Sequence, residues 1–113
     1  MLNFIIVLYS VVAIIGVYLL IKVLSKNSPK LITGIIHGML GLFGISFLII
    51  FTSFQKGDSP VVTIILFVIA FFIGGGMFVM NAQEKKYPVV IALIHAAIAL
   101  TGLYFLLRFS AVF

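Results

Sequence analysis

The chain has 113 residues, of which 65% are hydrophobic and only nine are Asp, Glu, Lys or Arg. Soluble domains carry roughly a quarter charged residues, so this composition excludes a soluble domain, and the mean hydropathy of +1.44 excludes a disordered chain. Seven basic residues give a net charge of +5, which is too little and too scattered for a nucleic-acid-binding surface. The absence of cysteine excludes disulfides and thiolate metal sites.

Charged residues divide the chain into four uncharged stretches, at positions 1–21, 31–55, 59–83 and 87–107. A membrane-spanning helix needs about 20 apolar residues, and lipid leaves no partner for an unpaired backbone. The sequence therefore predicts an all-α membrane protein with one integral membrane domain, residues 1–113. The four transmembrane helices are expected at about 3–24, 31–54, 60–82 and 87–110.

The short connections between these stretches predict an up-down-up-down bundle. Pro60 and Pro88 are expected in the first turns of spans three and four, where a missing N–H costs little. Lysines concentrate at the first and third loops, and the positive-inside rule then places those loops in the cytoplasm. Both termini would lie outside, and a bacterial inner membrane is the expected location.

The second half of the sequence aligns with the first half without a gap. This repeat alignment places His95 on His37, and these are the only two histidines in the chain. We therefore predict two parallel-repeated helical hairpins, at about 3–54 and 60–110, related by an axis along the membrane normal. Spans two and four would be diagonal in the bundle, so the two histidines would face each other at equal depth, about 10 Å from the cytoplasmic end.

Small residues surround both histidines in the sequence. The residues three before and four after each histidine lie on its face of the helix. They are Gly34 and Gly41 for His37, and Ala92 and Ala99 for His95. Glycine is disfavoured inside helices by about 1 kcal/mol relative to alanine, so a cluster at one depth indicates space for something large. The predicted walls of this site are Gly34, Gly38, Gly41, Ala92 and Ala99 on spans two and four, with Gly16, Gly74 and Gly75 on spans one and three.

Two facing imidazoles within such a ring fit a flat prosthetic group with two axial ligands. Haem b meets that description, since its iron is commonly held by histidine. We expect His37 and His95 to be the metal ligands of one haem b per chain, with Lys30 and Lys86 near its propionates. The second ring nitrogen of His37 is expected to bond Thr33 or a backbone carbonyl. Five phenylalanines are available to pack the macrocycle: Phe43, Phe47, Phe71, Phe72 and Phe105.

In these features the chain resembles the four-helix, bis-histidine membrane cytochromes b. The resemblance covers the spans and consists of paired histidines on two of them with small residues at the same level. Members of that family often carry four histidines for two haems, whereas this chain has two, so at most one haem per monomer is implied. The resemblance implies electron transfer or a membrane oxidoreductase activity, with a quinone or another small redox partner.

Two other functions are compatible with the same sequence. The histidines could line the polar path of a small transporter or channel, or the small residues could pack against another protein in an assembly subunit. Small multidrug-resistance transporters match in length and span number, but they depend on an acidic residue in the first span, and residues 3–24 contain none. The partners expected are the lipid bilayer, a redox molecule and a second copy of the chain, and no nucleic acid.

Overall fold

The computed structural model describes residues 1–112, which form four α-helices and no strand. Their bounds are α1 Leu2–Leu24, α2 Leu31–Phe54, α3 Val61–Ala82 and α4 Val89–Val112. Each helix is long and apolar enough to cross a membrane, which confirms the four predicted spans and identifies an integral membrane protein.

The two prolines lie just before their helices and not in the first turns, where they were predicted. Pro60 is the N-cap residue of α3, and its carbonyl accepts a hydrogen bond from the N–H of Ile64 at 3.0 Å. The carbonyl of Pro88 accepts from the N–H of Ile91, three residues later, at 3.0 Å. A residue that precedes a helix donates no intrahelical bond, so proline's missing N–H is tolerated there as well.

The helices form a square in which each packs against two neighbours: α1 and α3 each contact α2 and α4. Short loops, 25–30, 55–60 and 83–88, connect them. A loop of this length reaches only about 20 Å, whereas these helices are about 35 Å long, so consecutive helices must run in opposite directions. Helices α2 and α4, which carry the histidines, are therefore diagonal partners.

Loops 25–30 and 83–88 lie at the same end of the bundle, called here the open end, and begin with the same turn. The residue after each C-cap is left-handed, with φ of 59° at Lys26 and 58° at Glu84. The following N–H bonds the carbonyl five residues earlier, at 2.9 Å in the first loop and 2.8 Å in the third. The two Schellman turns fall at matching positions of the repeat alignment, although Lys and Glu differ.

The tightly packed core lies toward the opposite end, called the closed end, which contains loop 55–60. The largest fully buried side chains are Ile5, Leu48, Thr63 and Leu106. They form two pairs in the repeat alignment, Ile5 with Thr63 and Leu48 with Leu106. Because the core occupies the closed half, the histidine half of the bundle has room for a cavity.

Candidate histidine site

The two histidines face each other between the diagonal helices. The ring centroids of His37 and His95 are 6.2 Å apart, and the ring planes meet at 70°. No other side chain of the chain can titrate near neutral pH or ligate a metal as imidazole does, since these are its only histidines. The bundle therefore brings its two best metal-ligating side chains together in its interior.

A glycine on the neighbouring helix makes room for each imidazole. An ideal Cβ at Gly16 of α1 would lie 3.0 Å from Cε1 of His37, and one at Gly74 of α3 would lie 2.9 Å from Cε1 of His95. Real Cβ atoms rarely approach this closely, so any larger residue would displace the ring. Gly16 and Gly74, which the sequence suggested as walls for a macrocycle, thus position the histidines themselves.

One nitrogen of each imidazole has no partner. The Nδ1 atoms of His37 and His95 are buried, and neither makes a hydrogen bond within residues 1–112. Nδ1 of His37 therefore makes no hydrogen bond to Thr33, which was one of its two expected partners; the other was a backbone carbonyl. Backbone groups face both rings, at Val12 for His37 and at Ala70 for His95. These two positions also coincide in the repeat alignment, so the same backbone position faces each ring.

A cavity of about 430 Å³ adjoins the histidine pair and extends to the open end. Most of its lining is apolar, as expected for a site that excludes water. Of the twelve residues that the sequence singled out, eleven line it, and Lys86 does not: the eleven are Gly16, Lys30, Gly34, His37, Gly38, Gly41, Gly74, Gly75, Ala92, His95 and Ala99.

The small residues around the cavity have different neighbours. An ideal Cβ at Gly34 would lie 3.2 Å from the ring of Phe78, so Phe78 fills the space beside it. Nothing lies within 4 Å of an ideal Cβ at Gly38, Gly41 or Gly75. All three line the cavity, Gly38 and Gly41 half-buried and Gly75 exposed, so no neighbouring side chain fills the space beside them.

A stacked aromatic pair forms the floor of the cavity. The rings of Tyr9 and Phe67 are 4.0 Å apart and nearly parallel, at 16°. Gly44 and Gly102 make space for them, since ideal Cβ atoms there would lie 2.7 Å from Tyr9 and 2.8 Å from Phe67. The Tyr9 hydroxyl donates a long hydrogen bond of 3.5 Å to the carbonyl of Gly41. Sequence reasoning missed this pair, although the repeat alignment that matches the histidines also matches Tyr9 with Phe67.

The mouth of the cavity carries its few polar groups. Asn81 Nδ2 donates a hydrogen bond to the carbonyl of Pro29 at 3.1 Å and ties the end of α3 to the first loop. Lys30 and Tyr87 also line the mouth. Burial raises the pKa of the Tyr87 hydroxyl, which keeps it a neutral hydrogen-bond donor at physiological pH.

Of the five phenylalanines expected to pack a macrocycle, only Phe71 lines the cavity. Phe43, Phe72 and Phe105 are 49%, 72% and 41% exposed and point outward. Phe47 packs against the core. The aromatic side chains that do reach the cavity besides Phe71 are Phe67 and Phe78, with Tyr9 and Tyr87.

Within residues 1–112 there is no group of three or more His, Cys, Asp or Glu that could hold a metal ion. Structural zinc needs four such ligands and catalytic zinc three, and the histidine pair supplies two. Comparisons of the chain with protein-family models, with curated proteins and with solved structures find no match.

Proposed function

We propose that this protein is an integral membrane b-type cytochrome, which holds one haem b between His37 and His95 and relays electrons at the membrane. The observation that carries the proposal is the pair of facing imidazoles, with centroids 6.2 Å apart, beside an apolar cavity. The resemblance to four-helix bis-histidine cytochromes agrees with it.

The separation of the two rings suits two axial ligands of one metal. A metal–imidazole bond is about 2 Å long, and the ring centre lies roughly 1 Å beyond the nitrogen, so ligands on opposite sides have centres about 6 Å apart. Backbone groups at Val12 and Ala70 face the two rings, and Nδ1 of each ring makes no hydrogen bond within residues 1–112. The two imidazoles are therefore not tied to each other through these nitrogens.

The cavity meets the other requirements of the cofactor. Gly38, Gly41 and Gly75 leave open space beside the histidines, where larger side chains would fill it. The apolar walls exclude water, which is one of the means by which a protein sets a haem potential. Lys30 lies at the mouth, where its ammonium can pair with a propionate. When bound, haem b supplies one-electron transfer between its ferric and ferrous states.

A continuous channel is a weaker explanation of the same histidines. The cavity ends at the Tyr9–Phe67 stack, and residues beyond it toward the closed end, including Ile5 and Leu48, are fully buried. A permeating ion would have to pass this dry layer, where no acidic side chain could replace its hydration shell. An assembly role makes no use of the facing histidines.

In the proposed orientation, the lysine-rich loops and the open end of the cavity face the cytoplasm of a bacterial cell, and both termini lie outside. The redox partner is a quinone or another small molecule at the membrane face. Lys86, which lies outside the cavity lining, contributes to the positive charge of this surface. A homodimer in the bilayer is part of the same proposal.

The decisive test is the visible spectrum of the purified protein from haem-sufficient cells. We expect a reducible Soret band with sharp α and β bands and one haem per chain. His37→Ala and His95→Ala should each abolish the low-spin spectrum, while membrane insertion persists because it depends on apolar length. Met77 lines the same cavity, so Met77→Leu is the matched control. This variant should retain the low-spin haem spectrum.

A wild-type protein without Soret absorbance would refute the proposal. Equal low-spin spectra in the wild type and in either histidine variant would refute the assignment of the ligands.

A further inference from the structure

The two seams where the predicted hairpins meet are not equivalent. One seam lies between α2 and α3, and the other lies between α4 and α1. Each position in the first has a counterpart in the second through the repeat alignment. A bundle with perfect twofold symmetry would have the same side chains in both seams. Each difference between the seams therefore identifies a position where the site is asymmetric.

Three cavity positions differ in the same direction. Gly38 and Gly41 of α2 and Gly75 of α3 line the cavity. Their counterparts, Ala96 and Ala99 of α4 and Val17 of α1, line it as well. At Gly34, a neighbouring ring fills the missing volume, but at the three glycines nothing lies within 4 Å of an ideal Cβ. At these three positions the α2–α3 side therefore carries less side-chain volume than the α4–α1 side.

Other features distinguish the two ends of the site along the bundle axis. The Tyr9–Phe67 stack closes one end, and Lys30 lies at the open end. Haem b carries its propionates on one edge, so this edge belongs at the mouth. A half turn about the bundle axis keeps the propionates there but exchanges vinyl groups with methyl groups at the sides of the macrocycle.

We propose that the α2–α3 seam, with its smaller side chains, selects one of these two haem orientations, and that Gly38, Gly41 and Gly75 are the residues that determine it. The inference rests on the proposed function. The α2–α3 seam accommodates a vinyl group where the α4–α1 seam accommodates only a methyl. A pocket that is one methylene too small discriminates by about tenfold or more.

The test is proton NMR of the oxidised wild-type holoprotein, in which each orientation gives its own set of shifted haem methyl signals. We expect one set to exceed the other by about tenfold or more. The exchange variant combines Gly38→Ala, Gly41→Ala and Gly75→Val with Ala96→Gly, Ala99→Gly and Val17→Gly. It moves the smaller side chains to the α4–α1 seam and should make the other set predominant.

A matched control widens only the second seam, with Val17→Gly, Ala96→Gly and Ala99→Gly. It should bring the two signal sets close to equal intensity. If the exchange variant does not fold, the single variant Gly75→Val tests the inference. It should reduce the excess of the major haem orientation over the minor one.

Equal signal sets in the wild type, or the same major form in the wild type and in the exchange variant, would overturn the inference while leaving the cytochrome proposal intact. A wild-type protein without haem would instead overturn the proposed function.

Discussion

At the scale of single residues, the glycines fall into distinct groups that the sequence does not separate. Gly16 and Gly74 make room for the imidazoles, whereas Gly44 and Gly102 make room for the aromatic floor. Gly76 faces open space and is exposed. Since glycine itself weakens a helix, the first two groups have a packing reason that outweighs this cost, whereas Gly76 has none.

These groups predict opposite effects of the same substitution. Gly44→Ala and Gly102→Ala should each lower the free energy of unfolding by about 1–3 kcal/mol, because the added methyl overpacks the Tyr9–Phe67 stack. Gly76→Ala, the matched control, should raise it by about 0.5–1 kcal/mol through helix propensity alone. Unfolding in mixed micelles measures all three. Equal effects at Gly44 and Gly76 would contradict the packing assigned to the floor.

At the scale of helices and turns, the repeated feature is the Schellman turn after α1 and after α3. Both place a residue with a side chain, Lys26 or Glu84, in the left-handed region that favours glycine. Because this geometry recurs where the residue types differ, it arises from the backbone connection between antiparallel helices and not from a shared sequence motif.

Replacing the left-handed residue should relieve this backbone cost. We expect Glu84→Gly to raise the free energy of unfolding by about 1 kcal/mol, with a similar gain for Lys26→Gly. The neighbouring substitution Lys85→Gly is the control, since Lys85 does not have a positive φ, and it should give no gain. Denaturant titration of the three variants checks this. A gain at Lys85 equal to that at Glu84 would show that the turn geometry is not the cause.

At the scale of the whole molecule, the bundle is packed at one end and hollow at the other. The buried core lies at the closed end, and the cavity with its histidines extends toward the lysine-rich open end. The orientation in the membrane therefore decides which compartment reaches the cavity mouth.

Single cysteines can report this orientation, because the chain has no cysteine of its own. Ser28→Cys, in the exposed first loop, should react with an impermeant thiol reagent only after cells are permeabilised. Ala111→Cys, exposed near the end of α4, should react in intact cells. The positive-inside bias is the reason for both expectations. The reverse pattern would invert the orientation without changing the bundle.

The sequence by itself determined the four spans, because length and apolarity are properties of each helix alone. It also predicted that the two histidines lie at the same depth, since their positions along the diagonal helices follow from counting residues. It did not determine how each helix is rotated about its axis. In a membrane the outside is as apolar as the inside, so these helices have no polar face to indicate which side points inward. Only the tertiary structure decided that Gly16 and Gly74 face the imidazoles, that Phe43 and Phe72 point outward, and that Tyr9 and Phe67 close the cavity. Those contacts depend on the packing of helices against each other, which requires all four at once.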